Sequence, residues 1–274
     1  MKVVLLTALS PEGQVQHRYV AHKLTEAFGD ELQAIIVTGG ARVPLGKRLK
    51  RWWKRYTVPQ LLSRTLIKAR DSRKGRNEAR QAIYRRVLFP AGEDGKMPQG
   101  LVRVVPSHNG KACLGILRDL KPDVIAVYGT VVIKGDVIAA AGKSIINMHT
   151  GLSPRYRGSD TIFWPLHNGE PEWVGVTIHR LTPGIDAGPI LATARPAIAA
   201  DDGEDSLFAK CVKVGCEHFV TAIREEAVGV AEVMPQQLER GREYKSVERT
   251  VTAERRVEKR LREGLLARYT GRGA

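Results

Sequence analysis

KVVLLTALSPEGQVQHRYVAHKLTEAFGDELQAIIVTGG, residues 2–40, alternates apolar runs with a helical period and so points to the fold class. KVVLLTA (2–8) is short, apolar and rich in β-branched residues, the pattern of a strand buried on both faces. A signal peptide is a poorer reading of this start, because polar SPEGQVQH follows it rather than a small-residue cleavage site. A helix over 13–28 comes next: Val20, Leu24, Ala27 and Phe28 fall at i, i+4, i+7 and i+8 and share one face. Gly29 and Asp30 end it, and LQAIIVTGG (32–40) is a second buried strand running into a glycine turn. A β-α-β opening predicts parallel strands with helices on the sheet faces.

The same rhythm returns further along. LVRVV (101–105), DVIAVYG (123–129) and SIINMH (144–149) read as strands, with a helix capped by Asn109 and running to Leu120, and a short one over 135–142. VGVTIHRL (174–181) and PILATARPAI (189–198) are two further strands joined by a glycine-rich turn. The fold class is therefore α/β: a Rossmann-like open, mostly parallel sheet with helices on both faces. Helices over 202–229 and 252–269 predict a small helical C-terminal extension. Leu207, Cys211, Val214 and Phe219 are the buried candidates of the first.

Composition narrows the classes. The chain has 274 residues and 43% hydrophobic content, enough for one sizeable core. No run approaches the roughly 18 apolar residues of a membrane span. Cys113, Cys211 and Cys216 are odd in number and lack C-x-x-C spacing, which argues against a disulfide framework or a zinc site. They fit buried thiols in a cytoplasmic protein, and no metal is expected. The formal net charge is +15, and residues 41–90 hold sixteen Lys and Arg against two acids. Nearly the whole excess thus sits in one insertion, which includes RLKRWWKRY (48–56) and a break around Gly75.

Chemistry concentrates in SIINMHTGLSPRYRGSDTIFWPLHNGE, residues 144–170. Asn147 and His149 stand two apart at the C-terminal end of a buried strand, so their side chains share a face where open α/β sheets bind ligands. TPGIDAGP (182–189) sets Asp186 among glycines and prolines. Asn can donate to a carbonyl oxygen that gains charge, His can donate to that oxygen or move an amine's proton, and Asp can orient the His. No nucleophile is evident, which favours direct acyl transfer to an amine over a covalent intermediate. His179, on an interior strand, reads as support for the site.

Five ordered blocks carry a resemblance: N-x-H at 147–149, GLSPRYRG at 151–158, WPLHNGE at 164–170, GVTIHRL at 175–181 and GIDAGPIL at 184–191. Together they resemble the folate-dependent formyltransferases, which include the glycinamide ribonucleotide, methionyl-tRNA and sugar N-formyltransferases. The resemblance implies 10-formyltetrahydrofolate as formyl donor. It implies that Asn147 binds the formyl oxygen, His149 stabilises the tetrahedral anion and Asp186 assists proton transfer. It further implies that the pterin lies against Tyr128, Gly129, Val131, Val132, Ile133 and Ile138 on one side and Thr182, Pro183, Gly184 and Ile185 on the other. Thr7, Ser10, Arg155, Tyr156 and Arg157 are the candidate acceptor contacts. Residues 1–200 form the catalytic domain, with a basic insertion at 41–100, and 201–274 the helical extension. Many family members have Ser-Leu-Leu-Pro after the His; this chain has Gly151-Leu152-Ser153-Pro154. The first turn, TALSPEG (7–13), lacks the glycine-rich phosphate loop of the glycinamide ribonucleotide enzymes.

The expected activity is formyl transfer to a primary amine of a small, phosphorylated or nucleotide-linked acceptor, such as an amino sugar or a modified amino acid. Release of formate from the donor by water is the alternative at the same site. Through 41–90 the chain can instead meet tRNA, as a methionyl-tRNA formyltransferase does, or an anionic membrane surface, holding a cytoplasmic protein at the membrane. A non-catalytic polyanion- or membrane-binding protein on the same scaffold is the reading from another class. A homodimer built on the C-terminal helices stays open.

Overall fold

The computed structural model describes residues 1–8, 14–39, 46, 56–73, 75–92 and 97–271. Seven strands form one sheet: β1 (Val3–Ala8), β2 (Leu32–Thr38), β3 (Val102–Val105), β4 (Val124–Tyr128), β5 (Ser144–His149), β7 (Val176–Arg180) and β8 (Ile190–Ala194). Their order is β3-β2-β1-β4-β5-β7-β8. The first five run parallel, while β7 is antiparallel to β5 and β8 to β7. This is the mostly parallel α/β sheet expected from the sequence. Its order reverses between β1 and β4, the kind of switch point where such sheets bind ligands.

Alternation along β1 explains the two-faced burial. Val3 and Leu5 enter one apolar cluster with α1 (Gln14–Phe28), and Val4 and Leu6 enter another with α4 (Lys111–Leu120). The predicted face of α1 is in the core, with Val20 and Leu24 fully buried. α4 starts from Gly110 rather than Asn109. Asn109 instead bonds across to the loop after β4. Its Nδ2 donates to the Val132 carbonyl at 2.9 Å, and its Oδ1 accepts from the Lys134 amide at 2.7 Å, which fixes that loop. The helix expected over 135–142 is the single turn α5 (Gly135–Ile138).

The described part of the basic insertion holds α2 (Val58–Arg73) and α3 (Arg76–Leu88), parted near Gly75, whose φ of 56° is the left-handed region that glycine tolerates. Trp52 and Trp53 lie outside the described residues. β6 (Tyr156–Gly158) and α6 (Phe163–Asn168) follow β5. α7 (Glu204–Val228) lies along β5, β7 and β8 and also touches α1 and α3. It comes so close that a Cβ on Gly215 would meet Met148 Sδ and Val176 Cγ2 at 2.9 Å each. Of its expected buried residues, Leu207, Cys211 and Phe219 are fully buried and Val214 is partly so.

β9 (Arg242–Tyr244) pairs with β6 in a separate two-stranded sheet. The final helix expected over 252–269 is two helices, α8 (Val251–Arg262) and α9 (Leu265–Thr270), parted at Gly264 with φ 77°. β6, α6, α8 and α9 share a satellite core with Trp164, Tyr156 and Leu266. Three of the insertion's arginines pair with acids from distant parts of the chain. Arg70 pairs with Glu254 at 2.9 Å, Arg76 with Glu258 at 2.7 Å, and Arg80 with Asp205 at the start of α7 at 2.8 Å.

Candidate active site

β5 ends at His149, and the antiparallel pairing of β7 sets His179 opposite Asn147 and Thr177 opposite His149. Each partner is used. His179 Nδ1 faces the Arg180 carbonyl at 2.9 Å and so carries the ring hydrogen, which leaves Nε2 to accept from Asn147 Nδ2 at 3.1 Å. That bond fixes which way the Asn147 amide points and leaves it one N–H and its oxygen. Thr177 Oγ1 donates to the Gly151 carbonyl at 2.7 Å and accepts from the Ser153 amide at 3.0 Å, holding the loop after His149 on the sheet.

The loop between β7 and β8 brings Asp186 to the same place. Its Oδ2 accepts from the Gly158 amide at 2.9 Å and lies 3.5 Å from His149 Nδ1. Its Oδ1 lies 3.5 Å from His179 Nε2. Gln236 Nε2 donates to the carbonyls of Asp186 and Gly188 at 3.0 and 2.6 Å, anchoring a backbone that carries Asp186 at φ 47°. Burial opposes the charge on Asp186, but His149 and the Gly158 amide outweigh it and hold the carboxyl well below the usual range. Burial lowers the pKa of His149, with Asp186 acting the other way. The resting pair is a neutral imidazole beside a carboxylate. Both ring nitrogens face acceptors, since Nε2 is 3.2 Å from the Tyr156 carbonyl. An imidazolium would therefore find two partners already in place.

Asn147, His149 and Asp186 line one cavity of about 650 Å³. Tyr128, Gly129, Val131, Val132, Ile133, Thr182, Gly184 and Ile185 line it too. Ile138 does not; it packs on the cluster around Val4 and Leu6. Pro183 is exposed and is not among the lining residues described. Of the expected acceptor contacts, Ser10 lies outside the described residues. Thr7 is fully buried and donates to the Tyr128 carbonyl at 2.9 Å, so it sets the end of β4 without lining the cavity. Tyr156 is core at 1% exposure, its hydroxyl donating to Glu170 at 2.6 Å. Arg155 pairs with Glu170 at 2.9 Å and lies over Trp173. Arg157 donates to the Ile185 carbonyl at 3.2 Å and so ties the Asp186 loop to β6.

The sequence profile described as formyl transferase matches residues 65–223, more than half of the chain. The chain belongs to the formyl transferase family. A methionyl-tRNA formyltransferase from Kosmotoga olearia is 34% identical over 122 residues, covering 44% of this chain and 39% of that protein. Another from Anaeromyxobacter sp. is 38% identical over 110 residues, covering 39% of this chain and 35% of its own length. This formyl transferase thus spans less than half the length of the curated relatives it matches. The fold is shared with a 4-N formyltransferase from Francisella tularensis, at TM-score 0.55 and 15% identity over 89% of this chain and 76% of that one. It is shared also with a sugar N-formyltransferase from Shewanella sp., at TM-score 0.55 and 13% identity over 90% and 78%.

A second cavity of this formyl transferase, about 290 Å³, shares His149, Thr150, Gly158 and Phe208 with the first. Its lining also includes Arg80 and Tyr84 of α3, Glu204 and Asp205 of α7, Asp160 and Arg249, with Thr161 and Ile162. Arg249 is its hub, pairing with Glu204 at 2.7 Å, Asp160 at 3.0 Å and Glu254 at 2.5 Å. The sequence gives no hint of these residues. They come from four segments far apart in the chain, and no local spacing joins them. His17 and Gln16, which line the first cavity from α1, are equally hidden in the sequence.

Proposed function

We propose that this chain is an N-formyltransferase that moves a formyl group from 10-formyltetrahydrofolate to a primary amine of a small acceptor, an amino sugar or a modified amino acid, by direct transfer. The observation that carries the reading is Asn147 hydrogen-bonded to His179, with His149 3.5 Å from Asp186, where two cavities meet. The larger cavity suits a flat, amide-bearing ring. It offers apolar Val131, Val132 and Ile185 beside Tyr128, Gly129, Leu181, Thr182 and Gly184. The donor supplies an activated formyl group on nitrogen.

Asn147 donates its free N–H to the formyl oxygen as negative charge builds there. His149 stabilises the tetrahedral anion, and its imidazolium form is supported by Asp186 and the Tyr156 carbonyl. The acceptor nitrogen bonds to the formyl carbon, the bond from that carbon to the donor nitrogen breaks, and the amine's proton passes through the His149–Asp186 pair to the departing nitrogen. The smaller cavity is the acceptor's place. Its lining sets Asp160, Glu204 and Asp205 against Arg80 and Arg249, a pattern that favours amine and hydroxyl groups over phosphate.

Formate release measured with donor alone, then with a panel of amino sugars and amino acids, tests the reading. Formylated amine with little formate supports transfer. Formate released at the same rate without any amine overturns it in favour of hydrolysis.

A further inference from the structure

α2 turns an apolar line to solvent. Val58, Leu62 and Leu66 are 64%, 60% and 53% exposed. Ala69 and Arg73, also exposed, continue the line. The spacing i, i+4, i+8, i+11, i+15 places all five on one face. Other residues of the helix are engaged with the protein: Arg70 pairs with Glu254, Ser63 Oγ accepts from the Val251 amide at 2.8 Å, and Arg64 donates to the Tyr56 hydroxyl at 3.1 Å. The outer apolar line is therefore additional to the packing face. A contiguous exposed aliphatic line of this kind marks an interaction surface.

Charge identifies the partner. Lys68 and Arg73 are exposed on α2. The sequence leading into it, KRLKRWWKR (47–55), carries six cations and two tryptophans in nine residues. Aliphatic residues on one helix face, with Lys68 and Arg73 exposed on the same helix, suit a helix lying in the plane of an anionic bilayer. A nucleic acid would draw on the cations and aromatics but gains nothing from Val58, Leu62 and Leu66. Arg70, Arg76 and Arg80 of these helices are taken up by Glu254, Glu258 and Asp205. No helix among the described residues is long and apolar enough to cross a membrane, so the contact is peripheral.

We infer that the outer face of α2 docks this protein onto an anionic lipid surface. α3, the next helix, lines the smaller cavity with Arg80 and Tyr84, so a docked protein takes its acceptor at the membrane surface. That consequence rests on the proposed function; the docking itself does not, and vesicle binding is read without any formyl transfer.

The test is co-sedimentation of the full chain with vesicles of phosphatidylcholine mixed with phosphatidylglycerol, against pure phosphatidylcholine. Binding is expected to the mixed vesicles only. Leu62→Gln with Leu66→Gln should weaken it at least about tenfold. Lys68→Glu with Arg73→Glu should remove the preference for the anionic lipid. Melting curves matching the wild type confirm that both variants are folded. Absence of vesicle binding by the wild type overturns the inference, as does binding that both double variants leave unchanged. Binding to total tRNA without vesicle binding overturns it in favour of a nucleic-acid partner.

Discussion

A methyl group on Gly151 would stand 2.5 Å from His149 Nε2, 2.7 Å from Thr161 Cβ and 2.7 Å from the Tyr156 carbonyl oxygen. None of the three is a loose chain end. The carbonyl is backbone and accepts from His149, and Thr161 is tied through its hydroxyl to the Thr150 carbonyl. Ordinary contact requires His149 to retreat by about 1 Å. That retreat costs it either the 3.2 Å bond to Tyr156 or the 3.5 Å approach to Asp186. Overpacking of this kind costs about 1–3 kcal/mol. For a chain of this size that lowers the melting temperature by about 2–10 °C. A misplacement of about 1 Å also costs on the order of 100-fold in rate, or about 2.7 kcal/mol. Calorimetry of Gly151→Ala, with the rate of formyl transfer at saturating donor, reads both effects. Gly115→Ala is the control of opposite sign: Gly115 sits inside α4 with open space where a Cβ would go. It should gain about 0.5–1 kcal/mol. A Gly151→Ala protein with wild-type stability and rate would refute the claim that this glycine exists to seat His149.

Two further predictions concern stability. Burial pulls His17 down to about 4, with the Ala8 carbonyl acting the other way. The folded chain thus keeps His17 neutral down to about 4, while the unfolded chain protonates it near its usual ~6.5, so stability falls as the pH falls through that window. Urea unfolding should show His17→Gln losing about 2–3 kcal/mol less than the wild type between pH 7 and 4.5, and equal losses would contradict the assignment. Arg249→Met leaves Glu204, Glu254 and Asp160 without their shared cation. It should cost about 3–5 kcal/mol at pH 7 by the same measurement, and a cost near zero would show that the hub does not hold α7 and α8 together.

The sheet was legible because its strands are continuous apolar runs set between a helical period and turn residues, as in 2–40. Asn147 and His149 were legible for the same reason, since a two-residue spacing on a strand fixes a shared face. Asp186 could be read only through its glycine-rich loop. The role of His179 needed the β5–β7 register, which the sequence does not state. Helix ends misled where a polar residue had a better use: Asn109 looks like a cap but serves the loop at 132–134. Gly264 lies inside a strongly patterned segment, and only its left-handed backbone shows that it parts two helices. The insertion's charge looked unpaired along the chain because its partners Asp205, Glu254 and Glu258 lie more than a hundred residues away. The apolar line on α2 was equally invisible, since Leu61 and Ile67 look the same in sequence as Leu62 and Leu66.

The central claim is formyl transfer through Asn147, His149 and Asp186. Its most direct test is mass spectrometry of a panel of primary amines incubated with 10-formyltetrahydrofolate and wild-type, Asn147→Ala or Asp186→Ala protein. An acceptor should gain one formyl group with the wild type and stay unmodified, or nearly so, with either variant. Both variants formylating it at the wild-type rate would contradict the account.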